Sequence, residues 1–182
     1  RLDLDLAVPA RPKVVLGGLA TFHVRFFDGD TELHGNEAFV PLGAEGGVDT
    51  SVARSYLFED RDWLRVDASS VGPATIQARA GETTLPALEV EVVPPSSIER
   101  VELFADPEPD ERARLCVLAE PFDGIDAPVF GVELDWDVDG VVEPGEGDMY
   151  VYDFDPARPD QTLTARYGEH ESAIEIRSGG GH

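Results

Sequence analysis

The stretch Glu133-Leu134-Asp135-Trp136-Asp137-Val138-Asp139-Gly140 decides how this chain is read. Leu134, Trp136 and Val138 alternate with Glu133, Asp135, Asp137 and Asp139. A period of two marks a strand with one face in a core and the other in water. Trp136 is then the large anchor of that core. The same letters also spell a calcium loop. Asp135, Asp137, Asp139, Gly140 and Glu146 stand at its carboxylate, glycine and closing glutamate positions, with Val142 at the aliphatic one. Calcium takes roughly six to eight hard oxygens, and a glycine lets the chain turn sharply around them.

The two readings compete. In an extended strand, residues i and i+2 are about 6.6 Å apart, so Asp135 and Asp139 stand about 13 Å apart. Carboxylates that distant cannot share an ion whose ligand bonds are about 2.5 Å long. Pro144 falls where a calcium loop develops its exit, and no helical pattern flanks the stretch. The solvated strand face is the favoured reading. In a compromise the strand runs to Val138, and Asp137 or Asp139 joins acids beyond it. The candidate metal ligands are therefore Asp135, Asp137, Asp139, Glu143, Glu146 and Asp148, and calcium is the only cofactor they suggest.

Working outward, the 182 residues are 42% hydrophobic, enough for packed cores. No apolar run reaches the roughly 20 residues of a membrane span. The 18 glycines and 14 prolines are scattered, as short strands joined by turns require. The formal charge of −23 makes nucleic acid and anionic membrane surfaces poor partners, because both demand clustered Lys and Arg. It suits solubility, adaptation to salt, or cation binding. Cys116 is the only cysteine, so no intrachain disulfide forms. The chain opens at Arg1 without a signal-peptide pattern, as a mature or trimmed form does, and Gly179 to His182 read as a flexible tail.

Alternation recurs along the chain. Leu2/Leu4/Leu6, Ala20/Phe22/Val24/Phe26, Leu64/Val66, Ala74/Ile76/Ala78 and Leu88/Val90/Val92 mark strands of a first half. Val52 to Phe58 could be helix or strand, and Gly43 to Gly47 reads as a flexible loop. Pro94-Pro95-Ser96-Ser97 is a stiff linker. Beyond it, strands are expected at Ile98 to Phe104, Ala113 to Ala119, Val132 to Asp139 and Met149 to Asp155, with a loop over Glu120 to Gly131. A closing hairpin joins Thr162–Tyr167 to Ser172–Ile176. Ala74-Thr-Ile-Gln-Ala-Arg-Ala-Gly-Glu82 resembles Gln161-Thr-Leu-Thr-Ala-Arg-Tyr-Gly-Glu169, which points to two copies of one domain. The reading is all-β: two tandem immunoglobulin-like β-sandwiches, 1–95 and 96–178, with 179–182 as the tail.

The end of each half resembles the end of bacterial immunoglobulin-like (Big) domains. The carriers are Val71-Gly72-Pro73-Ala74-Thr75-Ile76-Gln77-Ala78, its counterpart before Glu169, and Trp136 as a third-strand core tryptophan. Trp63 stands too late in its half to play that part, and the middle of each half departs from the pattern. The resemblance implies a non-enzymatic, extracytoplasmic module of an exported bacterial protein: a spacer, or an adhesion-type domain that binds protein or glycan at the cell surface. A calcium-binding adhesion module and an accessory fragment of a secreted enzyme are the alternatives. A monomer is expected. His23, His34, His170 and His182 are isolated, no zinc spacing occurs, and no nucleophile-elbow or phosphate-cradling glycine pattern is present.

Overall fold

A computed structural model describes residues 2–4, 11–28, 31–33, 39–55, 61–105, 114–143, 149–153 and 160–177. Residues 56–58 of the helix-or-strand passage and the tail lie outside these residues, as do Glu146 and Asp148. The chain divides into two compact units, Arg1–Pro95 and Ser96–His182.

The first unit is built from β1 (Leu2–Leu4), β2 (Lys13–Val15), β3 (Leu19–Asp28), β4 (Thr31–Leu33), β5 (Phe39–Glu45), β6 (Val48–Ser55), β7 (Arg61–Ala68), β8 (Gly72–Ala80), β9 (Thr83–Thr84) and β10 (Leu88–Val93). One sheet runs β1-β3-β7-β6, with β4 added to β3. The other runs β2-β10-β8-β5, with β9 added to β8. This is the strand order of an immunoglobulin-type sandwich. All the pairings are antiparallel except β2 with β10, which run parallel in the register Glu91↔Lys13, Val92↔Val14, Val93↔Val15. The alternation read from sequence is the burial seen in space. Ala20, Phe22, Leu64 and Val66 in one sheet and Val14, Ala74, Ile76, Ala78, Val90 and Val92 in the other are all buried.

Of the passages left open or read as loop, the first is strand, as the alternation favours, and the second differs. Val52 to Ser55 is strand, in β6. Gly43 lies inside β5 at an irregularity between Pro41 and Gly43, where β5 slips against β8. Gly46 and Gly47, at φ 88° and 79°, then carry the chain from β5 into β6 of the opposite sheet. Both angles lie in the left-handed region that only glycine enters without strain. A side chain at Gly46 would also run into Pro73 O and come within 2.7 Å of Ala74 Cα. The expected flexible loop is a close backbone crossing. Glycine is required there for shape.

A single 3₁₀ turn, Pro95–Ser97, stands where the stiff linker was expected. The second unit comprises β11 (Ile98–Ala105), β12 (Arg114–Asp123), β13 (Val129–Phe130), β14 (Asp135–Val138), β15 (Val141–Glu143), β16 (Met149–Asp153), β17 (Gln161–Tyr167) and β18 (His170–Ile176). Its sheets are β11-β12-β16 and β15-β14-β17-β18. Trp136, Leu163, Ala165, Val117 and Val129 form the core, and Trp136 is fully buried on the third-strand position that immunoglobulin-type sandwiches reserve for tryptophan. Strand β12 extends to Asp123, into the expected loop, because Asp123 organises the turn that follows. Its Oδ1 accepts from Ile125 N at 3.1 Å and Ala127 N at 2.9 Å. Strand β14 begins only at Asp135, three residues later than its pattern suggests.

The matched segments occupy matched places. Ile76 and Leu163, and Ala78 and Ala165, are all fully buried. Each segment ends in a two-residue Gly-Glu turn closed by Ala80↔Thr83 or Tyr167↔His170. Gly81 and Gly168 stand at φ 55° and 59°. Glycine in the first central position is what a type II′ hairpin needs.

Candidate functional site

The acidic stretch folds into a tight hairpin. Val138 pairs with Val141, Asp137 with Val142 and Trp136 with Glu143. Only Asp139 and Gly140 lie between the paired valines, and both have positive φ, 52° and 87°. That is the geometry of a type I′ turn, for which Asp-Gly is a favoured pair. The backbone from Asp135 to Glu143 therefore doubles straight back. It follows the strand reading as far as Val138.

Two of the candidate ligands have partners within the protein. Asp137 is buried, on the opposite face of the sheet from Trp136. Its Oδ1 accepts from Gly140 N at 2.7 Å, which braces the turn, and its Oδ2 lies 3.6 Å from Arg166 Nη1. Asp139 reaches across to β17. Its Oδ1 accepts from Thr162 N at 2.8 Å and its Oδ2 from the Gln161 side-chain amide at 3.0 Å, while its own N–H donates to Thr162 O at 3.0 Å. The bond from Thr162 N–H, and next the one from Gln161, hold the Asp139 carboxyl below the usual carboxylate range. Asp135 is exposed, opposite Arg166 in register. Glu143 is paired through its backbone. Among the described residues, no group of three or more His, Cys, Asp or Glu side chains is placed to hold a metal ion.

Arg166 is the residue that the sequence reading passed over. It faces Asp137 on one side, and on the other its Nε donates to Glu171 Oε2 at 3.0 Å. The bond to Glu171 is the main reason its guanidinium holds its proton more tightly than usual, with the charges of Asp137 and Glu171 adding to it. The signal was indirect: Arg166 lies in the segment repeated between the halves, where Arg79 holds the matched position. Arg79 instead donates to Gly81 O at 2.7 Å, within its own turn. The acid–arginine–acid row thus belongs to the second unit. It ties β14, β17 and β18 together on their wet face.

In the first unit an open groove of about 500 Å³ runs between the edge strands β5 and β6, lined by Phe39 to Ala44 and Asp49 to Val52. Leu42 and Val52 are its exposed apolar residues. No helix among the described residues is long and apolar enough to cross a membrane.

No protein-family model matches the chain, and no curated protein matches it either. Solved structures do. Domains 4–9 of the surface-layer protein SbsC align over 97% of this chain at 17% identity and a TM-score of 0.57. The chain spans 30% of that longer structure. Domains 5–6 of the same S-layer protein align at 17% identity and a TM-score of 0.55, over 97% of both chains. At that identity the likeness establishes the fold. The chain is an all-β protein of immunoglobulin-like architecture.

Proposed function

We propose that this chain is a non-enzymatic structural module of an exported bacterial surface protein, serving to space or present neighbouring parts and to make adhesive contacts. The observation that carries this reading is the alignment over 97% of both chains with a two-domain piece of a surface-layer protein. The chemistry of the acidic hairpin supports it. Asp137 and Asp139 hold a turn and a sheet together, which is a framework role. Assignment to the bacterial immunoglobulin-like domains is part of the same proposal and rests on the 71–78 segment, its counterpart before Glu169, and buried Trp136.

The test is accessibility. An antibody raised against the chain should label intact cells that make the parent protein, and brief external protease should remove the label. Labelling that appears only after lysis overturns the proposal. Adhesive contact is tested separately, by binding of the purified chain to surface glycans and to the cells' own envelope proteins.

A further inference from the structure

We infer that the second unit is held below its full stability by its own charge, so that ionic strength controls how firmly it is folded and affects the first unit much less. The two units divide the charge unequally. Residues 1–95 carry 15 acidic and 8 basic side chains, net −7, and residues 96–182 carry 22 and 6, net −16.

Three arginines of the second unit, Arg100, Arg166 and Arg177, are already engaged. Arg100 lies 3.3 Å from Glu102 and 3.4 Å from Asp126 while stacking 4.0 Å above the Phe122 ring. Arg166 sits between Asp137 and Glu171, and Arg177 lies 3.3 Å from Glu175. Further acids face water. Glu133, Asp135 and Glu169 are exposed. Among the described residues each unit has one pair of acids directly opposed in register, Glu102↔Glu120 with Arg100 beside it and Asp49↔Asp67 with Arg65 two residues from Asp67, so the difference between the units lies in their net charge.

Repulsion among like charges acts in the folded and unfolded chains, but folding brings the charges closer. A net charge far from zero therefore disfavours the compact state. Like charges a few ångströms apart repel measurably even in water. The screening length falls from about 30 Å at 0.01 M salt to about 3 Å at 1 M. At low salt every carboxylate of the unit feels most of the others. At high salt each feels only its immediate neighbours. Stability must rise with salt, and rise further where acids outnumber bases more heavily.

The whole chain can report on both units at once. Urea is uncharged, so unfolding in urea at pH 7 can be compared at 0.01 M and 1 M sodium chloride, with pulsed hydrogen exchange read on peptides from β8 and β17. The β17 midpoint should rise by about 1 M urea, and the β8 midpoint by less than half as much. The variant Glu133→Gln/Asp135→Asn/Glu169→Gln removes three charges while leaving every ion pair named above intact. It should raise the β17 midpoint at low salt and leave it unchanged at high salt. Equal shifts in the two units, or no shift, overturn the proposal. So does a variant whose effect persists at 1 M salt. Unequal shifts in potassium and sodium chloride at equal ionic strength would replace screening with a bound cation, and would overturn it too.

Discussion

Gly46 and Gly140 have nearly the same backbone, φ 88° and 87°, and opposite surroundings. Gly46 lies against the backbone of Pro73 and Ala74, where an added Cβ has no room. Gly140 faces open space, with nothing within 4 Å of such an atom. One turn is fixed by what it packs against, the other by hydrogen bonds donated to the Asp137 and Asp139 carboxylates. The contrast runs through the two units. The first closes its turn between sheets by bringing backbones close together. The second closes its hairpin with carboxylates, in a unit already rich in them.

Tryptophan gives the largest expected difference. Trp136 is fully buried, whereas Trp63, on β7, is partly exposed. Trp136→Ala should destabilise the second unit by about 3–5 kcal/mol, comparable with the whole stability of a small domain. Trp63→Ala should cost the first unit less than half of that. Urea unfolding with exchange read on each unit measures both, and equal losses would break the contrast. Next come the glycines. Gly140→Ala meets only left-handed strain, about 1–2 kcal/mol. Gly46→Ala meets the same strain and a backbone collision, and should lower the thermal midpoint clearly further. If the two midpoints fall together, the close crossing of backbones is not what fixes the first turn.

Carboxylates come third. Asp137→Ala leaves Gly140 N–H without its acceptor and should cost about 1–3 kcal/mol. Asp139→Asn is smaller and depends on pH. The Asp139 carboxyl is held below its ordinary value. Its contribution is therefore fully present above the unfolded carboxylate pKa of about 4 and is lost as pH falls through the folded value. The chain as a whole moves the other way at first, because protonating surplus acids relieves repulsion. The difference between wild type and Asp139→Asn in thermal midpoint should thus be largest at pH 7 and shrink towards pH 3. A difference that grows on acidification would show that Asp139 has another role. The smallest effect is expected from calcium. With Asp137 and Asp139 already engaged, 2 mM calcium should move the midpoint no more than sodium chloride of equal ionic strength. A larger shift, abolished by Asp139→Asn, would favour the calcium reading of the hairpin.

Much of this architecture was legible because burial follows alternation. Ala74, Ile76 and Ala78, and Leu134 and Trp136, announce their buried faces by spacing alone. The Asp139-Gly140 pair announces a turn, but the same letters fit a calcium loop. Composition at single positions cannot separate the two, because the choice depends on Val141 pairing back onto Val138. Arg166 was harder still. Its neighbours Asp137 and Glu171 come from different strands, and only the register places them beside it. Nor does a three-residue strand such as Lys13–Val15 say which strand it joins, or in which direction.

That last pairing has a mechanical consequence. Strand β2 lies near the start of the first unit and β10 at its end, and they run parallel. A pull on the chain from either side of the unit draws the two strands past each other along their length. The hydrogen bonds between them then carry the load together and must break together. An antiparallel hairpin pulled from its open end gives way one rung at a time. A three-rung parallel clasp at the entry and exit of a domain is how a small sheet resists tension, whatever its resistance to heat.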